Sequence, residues 1–119
     1  MEKYKQNCID FIEFPAKTIA ALDQSKIFFS EVFGWSFQDW GVDYADTTSS
    51  GLGSGFNADP EHRPTKPLVV LFTSNLEATR AKVWAAGGKI TRDIFSFPGG
   101  RRFHFTEPGG NELAVWSDK

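Results

Sequence analysis

Sulfur is nearly absent from this 119-residue chain, which holds one cysteine, Cys8, and one methionine. A lone thiol excludes an internal disulfide and a thiolate metal centre, and it fits a reducing cytoplasm. Histidine is almost as scarce, at His62 and His104 only. No stretch approaches the ~20 consecutive apolar residues of a membrane helix. The N-terminal MEKYKQNCIDFIEF lacks the apolar run of a signal peptide. The 13 basic and 15 acidic residues are interspersed, so no basic stripe argues for nucleic acid or an anionic membrane. The expectation is a cytoplasmic protein with neither nucleic acid nor membrane as partner.

Aromatic residues are what the chain has in excess, with 12 Phe, 4 Trp and 2 Tyr. They serve either a heavy core or, in part, a stacking surface for a ligand. The length suits a single domain, 1–119, that buries roughly two-thirds of its extended surface without covalent staples.

The pattern along the chain repeats. Cys8 to Phe14 alternates as a strand and meets Pro15. Lys17 to Phe33 reads as a helix, with Gly34 placed for a C-terminal cap. Trp35–Trp40, Tyr44–Thr48 and Gly51–Asn57 read as strands, the first two joined through Gly41-Val42-Asp43. A polar segment with two prolines, 58–66, follows as linker. Leu68–Thr73 is then a β-rich run, and Asn75 caps a helix over Leu76–Ala86. Lys89–Phe95, Arg101–Thr106 and Glu112–Ser117 supply three more strands. The order strand, helix, three strands thus occurs twice, in modules of about 8–57 and 67–117. The fold class expected is α+β, with two βαβββ modules forming a curved mixed sheet, helices on its convex face and a cleft on the other.

Three segments resemble the vicinal oxygen chelate superfamily of glyoxalase I, bleomycin resistance proteins and extradiol dioxygenases. IFFSEVFGW (Ile27–Trp35) is similar to the end of its first helix. LVVLFTSNLEATRAKVWAAGGKI (Leu68–Ile90) is similar to its second-module strand and helix, and FHFTEPGGNELAVW (Phe103–Trp116) to its closing hairpin. The resemblance implies paired βαβββ modules and a homodimer. Metal-using members carry His, Gln or Glu at positions that fall here at or near Phe11, Leu68 and Ala114, with a fourth within 47–57. That last stretch has no Asp, Glu or His. Imidazole and carboxylate are what a divalent metal needs there, so the resemblance implies no metal site of the family type, and no cofactor is expected.

Strand alternation nominates the side chains of a cleft. In the last strand Leu113 and Val115 belong under the helices, leaving Glu112, Ala114 and Trp116 to the opposite face. In the preceding one Phe103 and Phe105 go under the helices, and Arg102, His104 and Thr106 face the cleft. Phe11 and Glu13 are set on the same face by the first strand and Phe37 is added from the second, while Leu68, Val70 and Phe72 are what the resemblance implies, through its ligand position at Leu68. Arg102 and Glu112 are placed to form a cross-strand ion pair. The three glycines at 51, 53 and 55 clear one side of a strand for another backbone or a ligand.

Three functions fit. One is a metal-free protein that binds a small aromatic or amphipathic molecule. Another is a glyoxalase-like lyase or isomerase in which His104, with Glu13 or Glu112, performs acid–base chemistry. The last is a protein-interaction module.

Overall fold

A computed structural model describes residues 3–119. The elements are β1 (Ile9–Pro15), α1 (Ile19–Phe33), β2 (Gln38–Asp39), β3 (Tyr44–Thr47) and β4 (Gly53–Asn57), then β5 (Leu68–Phe72), α2 (Leu76–Ala85), β6 (Lys89–Phe97), β7 (Gly100–Thr106) and β8 (Glu112–Ser117). The strand–helix–three-strand order recurs as the sequence indicates. The chain packs into two compact units. One is Phe11–Leu68, and the other joins the N-terminal segment through Asp10 to Val69–Lys119.

In the Phe11–Leu68 unit the strand order is β2-β3-β4-β1, with β4 parallel to β1 and the other pairs antiparallel. Helix α1 starts at Thr18, whose hydroxyl accepts from the Ala21 N–H at 3.0 Å, and stops at Gly34 in the left-handed region, φ 73°. Its buried Leu22 packs with Ala16, Ala45, Phe56 and Ala58. Phe14 stacks on Phe56 at 5.0 Å, and Phe29 on Trp35 at 4.6 Å. Gly55 is required here by space: a Cβ would sit 2.2 Å from the Tyr44 hydroxyl and 2.7 Å from the Phe11 ring. The room it clears is filled by these two side chains. Gly55→Ala is therefore expected to cost about 1–3 kcal/mol by overpacking, read as a lower urea midpoint at unchanged m-value. A midpoint equal to wild type would show the site to be slack.

In the other unit the order is β5-β8-β7-β6, with β5 parallel to β8 and the rest antiparallel. Asn75 caps α2 by accepting from the Ala78 N–H at 3.1 Å. Leu76, Phe103 and Val115 form the core under this helix, with Val83, Ile90, Ile94 and Phe105 around them. The N-terminal segment is held by backbone bonds from Asn7 N–H to Phe72 (2.8 Å) and from Phe72 N–H to Cys8 (3.1 Å).

The α+β class, with mixed strands and helices packed against them, is as expected from sequence. The expected curvature is corrected. The strand order is open, β2 and β6 are edge strands with one neighbour each, and the sheet is neither curled nor closed. Alternation assigns a side chain to a face but does not specify bending. Closure needs hydrogen bonds between edge strands, and β2 has only two residues.

Candidate functional site

The face of β5-β8-β7-β6 away from α2 gathers most of the side chains nominated from sequence. Phe103 and Val115 lie in the core beneath α2, so alternation turns Arg102, His104, Ala114 and Trp116 to the other side. Register confirms the grouping: His104 is opposite Ala114, Arg102 opposite Trp116, Val70 opposite Ala114 and Phe72 opposite Trp116. The rings of Phe72 and Trp116 are 5.3 Å apart, and Tyr4 packs on both, at 4.9 and 4.8 Å. Trp116 is also fixed by its indole N–H, which donates to Asp10 Oδ2 at 3.0 Å.

Strand β6 adds residues that strict alternation did not nominate. Ile90 and Ile94 pack against the α2 core, which by period 2 would send Arg92 there too. Register shifts on either side of Arg92 place it opposite His104 and place Phe95 opposite Arg102. The first shift re-aims Arg92 onto the aromatic face, the usual effect of a β-bulge, and the second restores the phase, so that Phe95, alternating with Ile94, lies on the same face. The Arg92 guanidinium lies 3.9 Å from the centroid of Phe95, whose ring is 5.8 Å from that of His104. Arg102 lies over Phe95 and Phe97 at 5.4 and 5.8 Å, and Phe97 is 6.3 Å from Trp116. Cation–π contacts at this range hold the guanidinium planes against the rings.

His104 is the most perturbed group on this face. It is 8% exposed, and its Nε2 is buried with no hydrogen-bond partner among the described residues. Burial pushes its pKa down to about 4, helped by the positive charges of Arg102 and Arg92. The imidazole is therefore neutral at pH 7.

The remaining nominated residues are described by the elements that carry them. Glu13, 2% exposed, and half-buried Phe11 lie on β1 opposite Gly55 and Gly53. Leu68 opens β5 and is buried. Phe37 packs with Trp35 and Phe56 in the core under α1, on the helix side of its strands. Glu112 is exposed at the opposite end of β8 from Trp116, where it accepts from the Thr91 hydroxyl at 3.0 Å. It faces Thr106, whereas Arg102 faces Trp116, so the cross-strand ion pair expected between Arg102 and Glu112 does not arise.

No group of three or more His, Cys, Asp or Glu that could hold a metal ion is present among the described residues. Ala114, fully buried between Val70 and His104, offers only a methyl group. A depression of about 430 Å³ in the Phe11–Leu68 unit is lined by Lys26, Ile27, Ser30, Glu31, Phe37 and Asp39. It is larger than one of about 200 Å³ beside Tyr4 and Phe72. Its lysine is already paired, with Asp39 at 2.8 Å and Asp23 at 3.5 Å. His104 Nε2, buried and without a hydrogen-bond partner among the described residues, is on the aromatic face instead. No helix among the described residues is long and apolar enough to cross a membrane.

Solved structures share this fold. The crystal structure titled NAD-dependent benzaldehyde dehydrogenase from Legionella pneumophila matches with a TM-score of 0.73 at 14% identity, covering 92% of this chain and 98% of that one. The Mn(II)-bound glyoxalase from Novosphingobium aromaticivorans matches with a TM-score of 0.67 at 22% identity, over 97% of this chain and 40% of that one. Methylmalonyl-CoA epimerase from Mycobacterium tuberculosis matches with a TM-score of 0.66 at 11% identity, over 98% and 91%. At such identities the likeness is one of fold. No curated protein matches the sequence. The model of the Glyoxalase/Bleomycin resistance protein/Dioxygenase superfamily matches residues 14–115. With that match across nearly the whole chain, the protein belongs to the glyoxalase/bleomycin resistance protein/dioxygenase superfamily.

Proposed function

We propose that this chain is a metal-free small-molecule-binding protein of the glyoxalase/bleomycin resistance type, whose ligand is aromatic or amphipathic. The observation that carries the reading is the face holding Phe72, Phe95, Phe97 and Trp116 around His104, whose buried Nε2 has no partner among the described residues. Apolar walls with a few convergent polar groups are the usual makeup of a ligand site, and a buried polar atom without a partner costs about 1–3 kcal/mol until something satisfies it. A thermal-shift screen with small aromatic compounds tests the reading. A ligand present at 100 times its dissociation constant should stabilise the protein by about 2.7 kcal/mol, and Trp116→Ala should abolish the shift. A flat response across aromatic and amphipathic compounds favours the interaction module instead.

The second reading is a glyoxalase-like lyase or isomerase, which family membership favours. His104 serves it poorly. With a pKa near 4 the imidazole is unprotonated at pH 7 and binds a proton weakly, far from the near-neutral value that makes a good general base or acid. On the enzyme reading, His104→Ala abolishes turnover.

The proposal includes a cytoplasmic homodimer. Exposed apolar residues of α1 support self-association: Phe28 and Val32, four apart on one helix stripe, are 55% and 57% exposed. Sedimentation should give twice the 13.3 kDa chain mass, and Phe28→Glu should shift the protein toward monomer. A wild-type protein sedimenting as monomer at micromolar concentration rejects the dimer.

A further inference from the structure

We propose that the ligand of the aromatic face is an acid, and that Arg92 together with His104 receives its carboxylate. This rests on the small-molecule reading above and narrows its ligand class. Arg92 and His104 face one another across β6 and β7. The register shifts flanking Arg92 turn its cation onto this face and away from the α2 core, where Ile90 and Ile94 go. No carboxylate of the described residues pairs with it, whereas nearby arginines of the same unit are satisfied: Arg80 by Asp93 and Arg101 by Glu77. Its guanidinium is held against Phe95, which leaves the in-plane N–H groups at the rim of the plane. A planar carboxylate matches that geometry.

His104 supplies the second contact. Its Nε2 is a buried atom with hydrogen-bonding capacity and no partner among the described residues. In the neutral imidazole this nitrogen can carry the proton and donate to a carboxylate oxygen. The surrounding field favours an anion over a cation, because Arg92 and Arg102 both act on the ring with positive charge. Phe95 and Phe97 provide apolar contact for the organic part of the acid. A cationic or neutral aromatic offers Arg92 no counter-charge.

Isothermal titration of the full chain at pH 7.5 with 1-naphthoate and 1-naphthamide tests this, since the two share a ring and differ in charge. The expected result is at least tenfold tighter binding of the naphthoate. R92Q should lower naphthoate affinity about tenfold, to the level of the amide, and R92K should restore part of the preference. Arg92 is half-exposed, so R92Q should stay folded, with an unchanged circular dichroism spectrum. Equal affinities for the two compounds in the wild type, or a naphthoate preference that survives in R92Q, overturn the carboxylate assignment while leaving the small-molecule reading in place. Binding of neither compound counts against both.

Discussion

Phe103→Ala is expected to lose about 3–5 kcal/mol of folding free energy, the range for deleting a large buried ring with incomplete collapse around the cavity. Phe103 is 0% exposed and sits in the centre of the α2 core, between Leu76 and Val115 and 6.0 Å from the ring of Phe105. Domains of this size hold about 5–15 kcal/mol in total, so the variant should be partly unfolded at 37 °C. The consequence reaches the aromatic face, because Phe103 lies between Arg102 and His104 on β7. A strand that loses its anchor on one side loses the placement of its neighbours on the other. Urea titration followed by circular dichroism measures the loss. Phe103→Leu, which refills most of the volume, should recover more than half of it. A loss below about 1 kcal/mol for the alanine variant would mean that the core can collapse around the gap.

Acidification from pH 6.5 to pH 5 should cost the fold about 2 kcal/mol through His104 alone, rising to about 3 kcal/mol at pH 4. The folded pKa, near 4, is depressed below the ordinary 6.5 because burial and the charges of Arg102 and Arg92 oppose the imidazolium. The unfolded chain therefore binds more protons in this window. The contribution is fully present above pH 6.5 and is lost as pH falls through the folded pKa. The carboxylates of Glu77, Asp93 and Glu107 are held below their ordinary 4.5, 3.8 and 4.5 by hydrogen bonds from Arg101, Arg80 and the Gly109 N–H respectively. Their own acid losses begin near those ordinary values and run down through the depressed ones, below pH 5, so the interval from pH 6.5 to 5 is dominated by the histidine. His104→Gln should flatten that interval in a series of urea titrations. An unchanged slope in the variant would assign the acid sensitivity elsewhere.

The faces of β7 and β8 were legible because alternation needs only the order of residues. Phe103 and Val115 under the helix, and Arg102, His104, Ala114 and Trp116 opposite them, follow from period 2 along uninterrupted strands. The end of the first helix and the start of the second were legible from Gly34 and Asn75, which act through local backbone bonds. Arg92 was not, because a bulge is a property of the strand pair: β6 advances further than β7 between matched positions. Phe37 was set on the ligand face from strand order alone, but β2 spans only Gln38–Asp39, and the ring before it packs on Phe56 instead.

By itself the sequence determined the α+β class, the twofold strand–helix–three-strand order and the chemistry that is missing. Phe11, Leu68 and Ala114 cannot ligate a metal in any conformation, because hydrocarbon has no lone pair to donate. The tertiary structure alone decided that the sheet is not curled, that Arg102 faces Trp116 instead of Glu112, and that Arg92 joins His104 on the aromatic face. Each of these depends on register and on which groups are removed from water together, and neither is encoded at a single position.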